Sequence, residues 1–144
     1  MLTRSLCTLM VLSALSLPVF AAAPAPAANT VKNPLSVHVL DQSHGQPAPG
    51  ITVTLEVKEN NTWRMLSKGI TDEKGRIPGL FPEKQTFKAG IYRVNFETGA
   101  FFKQQKVQTF FPEIPVIFEV KATQTHYHIP LLLSPFGYST YRGN

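Results

Sequence analysis

A chain of 144 residues with a formal charge of +5 and a single cysteine has the length of one ordinary domain. Its lone Cys7 lies in the leading apolar run, which excludes a disulfide-stapled mini-protein and thiol chemistry in the rest of the chain. No Lys/Arg cluster and no reader motif is present, which excludes nucleic-acid binding as the main activity.

The first 21 residues read as a secretory signal peptide. Arg4 supplies a basic start, Leu6 to Val19 an apolar run, and Val19-Phe20-Ala21 small residues where a signal peptidase reads. The run is too short and wrongly flanked for a membrane anchor, so no membrane partner is expected. Cleavage is expected near Ala21-Ala22, and Cys7 stands too early, behind Arg4-Ser5-Leu6, for lipid attachment. The protein is therefore expected to be exported, to the periplasm if the source is Gram-negative. Residues 22–33, rich in Ala and Pro, read as a disordered leader, and 34–144 as the folded domain. Without Arg4 the 14 basic residues become 13 against 9 acidic, a charge of +4. That excess suits an anionic small molecule, and equally a merely solvated basic surface.

Leu35 to Leu40 alternates as a strand, and Ser43 to Gly50 is a turn-rich connection. Ile51 to Val57 alternates strictly, with Ile51, Val53, Leu55 and Val57 on one face. Asn60-Asn61 suits a tight hairpin, and Trp63 to Lys68 is the returning strand. Asp72 to Gly75 reads as a turn with Arg76 opening a short strand. Ile91 to Phe96 alternates again. Phe101, Phe102 and Gln105 predict a short helix within Thr98 to Lys106. Val116 to Val120, Tyr127 to Leu133 and Gly137 to Arg142 are further strands. Pro130 inside an apolar strand marks an edge, a bulge or a position whose N–H needs no partner. Phe101, Phe102, Phe110, Phe111 and Phe118 read as core. Short strands with Gly/Pro punctuation predict an all-β, two-sheet sandwich of about eight strands with one short helix.

Strand parity locates candidate chemistry. Leu35, Val37 and Val39 share one face, so Ser36 and His38 take the other. Tyr127, Ile129, Leu131 and Leu133 share a face, so His126, His128 and Pro130 oppose them. If these strands are neighbours, His38 and His128 meet on the outer surface. Imidazoles exchange protons near neutrality and serve hydrolysis. Beside an arginine such as Arg76 they could activate water and hold an oxyanion. On pattern alone each is equally a solvated surface residue, and His44 is assigned to the surface. His126-x-His128 with His38 has three imidazoles for a metal, but no acidic or cysteine ligand stands at diagnostic spacing, so no metal is expected. No Gly-x-Ser-x-Gly elbow occurs, which disfavours a serine hydrolase.

Three blocks together resemble the transthyretin family, and within it the enzymatic branch, the 5-hydroxyisourate hydrolases. They are Leu35-Ser-Val-His-Val-Leu-Asp41 with Gly45-Gln-Pro-Ala48, Thr71-Asp-Glu-Lys-Gly-Arg76, and His126 to Asn144. The hormone carriers share Leu-Leu-Ser-Pro and Tyr-Ser-Thr but lack Tyr-Arg-Gly. The resemblance implies a homotetramer with sites on a central channel, no cofactor, and hydrolytic opening of 5-hydroxyisourate, a small-molecule substrate. It assigns His38, Arg76 and His128 to catalysis, and His38 and Arg76 also to substrate binding, with Tyr141, Arg142, Gly143 and Asn144 completing the binding motif. The family usually has serine where this chain has Asn144. The competing reading is a non-catalytic carrier of a small ligand.

Overall fold

The computed structural model describes residues 32–144. The expected signal peptide and leader residues 22–31 lie outside them. Asn33, expected in the disordered leader, is instead pinned. Its side chain donates to the Phe81 carbonyl (2.8 Å) and accepts from the Leu35 and Phe81 amides (3.1 and 3.2 Å). Three hydrogen bonds at one side chain hold it against the β1 start, so order begins before the expected boundary at Pro34.

Nine strands and one helix follow: β1 (Leu35–Asp41), β2 (Gln46–Pro47), β3 (Thr52–Glu59), β4 (Thr62–Ile70), β5 (Arg76–Ile77), β6 (Gly90–Phe96), α1 (Thr98–Gln104), β7 (Ile114–Val120), β8 (Tyr127–Ser134) and β9 (Gly137–Thr140). One sheet runs β2-β1-β8-β9, with β5 also on β1; the other runs β4-β3-β6-β7. The extra strand beyond eight is β2, two residues inside the expected connection. The expected Gly137–Arg142 strand stops at Thr140.

The alternating patterns sort as their periods require. Leu35, Val37 and Val39 are fully buried, as are Val53, Leu55, Val94, Phe96, Leu131 and Leu133. Each such side chain contributes about 1.5–3 kcal/mol by leaving water, and together they hold the sheets face to face. Phe101 and Phe102 of α1 join this core. The helix ends early because Lys106 takes a left-handed φ of 58°, which no helix continues. Phe110 departs from the expected core. It is 73% exposed, while Phe111 and Phe118 are half-buried.

Two turns shape the sheets, and the second places the site. Asn60 and Asn61 adopt φ of 48° and 63°, joining β3 to β4 as a two-residue hairpin. At Asp72–Gly75 the Gly75 amide donates to the Asp72 carbonyl (2.8 Å), and Asp72 Oδ1 accepts from the Lys74 and Arg76 amides. Gly75 has φ of 69°, and a Cβ there would meet the Val39 carbonyl. The tight turn lays Arg76 directly opposite His38 across the β1–β5 pair.

Strand β8 lies between β1 and β9, so Pro130 is not on an edge. The β1–β8 ladder through it shows no register shift. The Gly143 amide donates to the His128 carbonyl and Thr140 Oγ1 to the Pro130 carbonyl. Pro130 nitrogen therefore faces the β9 side, beyond the last ladder pair at Thr140, where its missing N–H breaks no ladder bond.

Candidate active site

Strands β1 and β8 pair in parallel, with Ser36 opposite His128 and His38 opposite Pro130. Both imidazoles therefore stand on the outer face, diagonal to each other. Their ring centroids are 6.5 Å apart. At that spacing both rings can address one water or one substrate atom. Arg76 completes the group from the neighbouring β5. A cleft of about 200 Å³ opens here, lined by Ser36, Arg76, His126, His128, Asn144 and Lys32 among others.

Both histidines hold pKa values below the ordinary imidazole value. For His38, burial is the main cause and the Arg76 cation the second; the Lys74 carbonyl and Asp72 oppose them. For His128, burial again leads, followed by Arg76, His38 and His126, with the Ser36 carbonyl opposing. Each ring thus keeps a free lone pair to lower pH than a solvated imidazole does, as a base requires. The sign for stability follows. As pH falls below the ordinary imidazole value the unfolded chain takes up these protons first, so the fold loses stability toward acid and keeps it above.

The expected site residues divide into two groups. His38, Arg76, His128 and Asn144 come together, and Gly143 bridges His128 through its amide at 3.0 Å. Tyr141 and Arg142 do not join them within one chain. They line a separate groove of about 260 Å³ with Val116, Phe118, Tyr127 and Ile129. The chain leaves β9 after Thr140 and crosses the mouth between β7 and β8, which turns these two side chains that way. His44 is exposed but not idle, its Nδ1 lying 2.8 Å from Asp41 Oδ2.

Three residues at the cleft went unassigned in the sequence. Ser36 shares the parity of His38, so alternation carried its signal. Lys32 fell within the expected leader and had none. His126 carries a signal in the sequence only as one of three imidazoles for a metal. Among the described residues no three of His, Cys, Asp and Glu converge on a metal-sized point.

Two substitutions probe the C-terminal wall. A Cβ on Gly143 would overlap His128 Cδ2 and come within 3.1 Å of Pro130 Cγ. Gly143→Ala should therefore displace the imidazole and lower turnover about a hundredfold, while the thermal midpoint moves little. Steady-state kinetics beside a melting curve would check it. Asn144 offers an amide where the resemblance expects a hydroxyl. Asn144→Ser should raise kcat/KM about fivefold, the equivalent of one hydrogen bond of ~1 kcal/mol. Unchanged kinetics would show the hydroxyl to be dispensable.

A two-sheet sandwich whose outer face gathers two imidazoles and a guanidinium defines a transthyretin-like protein equipped for acid–base chemistry. The chain belongs to the HIUase/Transthyretin family, whose profile matches residues 35–143. It is 56% identical over 123 residues to the 5-hydroxyisourate hydrolase of Salmonella dublin, covering 85% of this chain and 90% of that one. Its fold is similar to the Klebsiella pneumoniae 5-hydroxyisourate hydrolase structure (TM-score 0.67, 36% identity, 76% of this chain and 98% of that one). It is equally similar to sea bream transthyretin in complex with thyroxine (TM-score 0.72, 37% identity, 76% and 94%). Fold alone therefore does not separate hydrolase from carrier.

Proposed function

We infer that this protein is a 5-hydroxyisourate hydrolase acting in urate degradation. The hydrolase relatives support the activity. The observation that carries it is the meeting of His38, Arg76 and His128 on one outer face, where Arg76 and His128 line a cleft. A carrier needs only apolar walls. It gains nothing from two desolvated imidazoles beside a cation, which cost stability toward acid.

The chemistry needs water added to a ring carbonyl and a C–N bond broken. A neutral imidazole, from His38 or His128, takes a proton as water attacks the carbonyl carbon. The carbonyl oxygen becomes an oxyanion, and the Arg76 guanidinium presents a planar fork of donors to it. Collapse of that oxyanion expels the ring nitrogen, which receives the proton from the imidazolium. The carboxylic acid so formed loses the second water proton to solvent, and its carboxylate is held by the same arginine until release as 2-oxo-4-hydroxy-4-carboxy-5-ureidoimidazoline. Carbon-13 NMR of labelled substrate tests this assignment. The carboxylate resonance should appear faster with protein present. A carrier would leave its rate of appearance at the spontaneous value.

The working form is proposed to be a homotetramer. The strands β7 and β9 are sheet edges, and Ile117, Tyr138 and Tyr141 on or beside them are exposed. Unpaired apolar edges favour self-association. Sedimentation should give one species of four protomers; a stable monomer would contradict this. Export through a cleaved signal peptide is proposed with it, from the sequence of residues 1–21.

A further inference from the structure

His126 and Ser36 have no role in the reaction above, yet they touch His128 in an ordered chain of contacts. His126 Nδ1 lies 3.0 Å from the Asn33 carbonyl oxygen. A carbonyl only accepts, so His126 Nδ1 carries a hydrogen. In the neutral ring Nε2 is then an acceptor, and it faces Ser36 Oγ at 3.4 Å. The same oxygen lies 2.8 Å from His128 Nδ1.

Ser36 has one hydrogen to give. If it donates to His128, oxygen and nitrogen lone pairs confront each other at His126. If it donates to His126 Nε2, its oxygen accepts from His128 Nδ1–H, and both contacts are satisfied. The second arrangement leaves the Nε2 lone pair of His128 without a hydrogen.

We propose that His126, acting through Ser36, is a positioning residue that holds His128 in the Nδ1–H tautomer and so presents its Nε2 as the proton acceptor. Free neutral imidazole prefers the opposite tautomer, so the relay has something to oppose. The anchoring Asn33 is itself fixed by Phe81 and Leu35, which gives the relay a rigid origin. The other charged or titratable groups around it are Lys32, Arg76 and His38. The catalytic half of this inference rests on the hydrolase reading; the tautomer half does not.

The test uses the full protein with histidine labelled by nitrogen-15, at a pH above the imidazole range and without substrate. Ring correlations, assigned by their loss in His128→Gln, report which nitrogen is protonated. Wild type should show His128 as Nδ1–H. Ser36→Ala and His126→Phe should each move it toward Nε2–H, lower kcat about tenfold and leave KM within about twofold. Ser36 is on the outer face, so the alanine variant should fold. An Nε2–H signal in wild type, or a signal unmoved in Ser36→Ala, would overturn the proposal. Wild type with His128 as Nδ1–H but no turnover of 5-hydroxyisourate would overturn the hydrolase reading instead.

Discussion

His128→Ala should lower turnover by about 10²- to 10⁴-fold, the usual worth of a positioned general acid–base, and His38→Ala by a similar factor. The thermal midpoint should move by only a few degrees in either. Both side chains stand on the outer face, half-buried, and neither contributes to the core between the sheets. The double variant should cost little more than the worse single one, because two rings 6.5 Å apart serve one water or one proton. Independent, multiplying losses would mean that the histidines act in separate steps. Near-normal turnover in His38→Ala would remove it from the reaction and leave His128 as the sole base. The measurement is steady-state kinetics with a melting curve for each variant.

Arg76→Gln should cost about 10²- to 10³-fold in kcat, as loss of an oxyanion donor does, and should also move the pH profile. In wild type the acid limb of kcat/KM should fall below about 6.5, the ordinary imidazole value, since burial and Arg76 hold both rings below it. Removing the cation takes away the second cause of each depression. The limb should then shift toward higher pH, with burial retaining part of the depression. Arg76→Lys separates the two roles. It keeps the charge, so the limb should stay near its wild-type position. It loses the planar fork, so turnover should still drop. A limb that moves as far in Arg76→Lys as in Arg76→Gln would mean that the guanidinium does not set these pKa values by charge.

The parity of two strands made the site legible in the sequence. Leu35, Val37 and Val39 had to face inward, and that alone turned His38 out. The same rule on Tyr127, Ile129, Leu131 and Leu133 turned His128 out. What parity could not supply was adjacency: that β1 and β8 are parallel neighbours with Ser36 opposite His128 is a long-range fact. Arg76 was legible as a residue after a turn, but its place opposite His38 depends on β5 pairing with β1.

Errors arose where local pattern and tertiary context part. Phe110 follows the apolar composition of its neighbours yet lies on the surface, because its amide is tied to the Pro135 carbonyl outside any strand. Asn33 was grouped with the Ala/Pro leader on composition, but its amide side chain finds partners 48 residues away at Phe81. Tyr141 and Arg142 share a motif with Asn144 but not its direction. Once β9 stops at Thr140, consecutive side chains point to different grooves. The relay through Ser36 was hidden because the two rings its hydroxyl lies between, His126 and His128, are far from it in sequence.

Hydrolysis of 5-hydroxyisourate at this outer cleft has a direct readout. The most direct measurement generates that compound in place from urate and urate oxidase, then adds protein at far below the substrate concentration and follows the absorbance. The decay should accelerate in proportion to protein, with many turnovers per protomer. Decay at the spontaneous rate, with the compound bound but unchanged, would contradict it and leave a carrier.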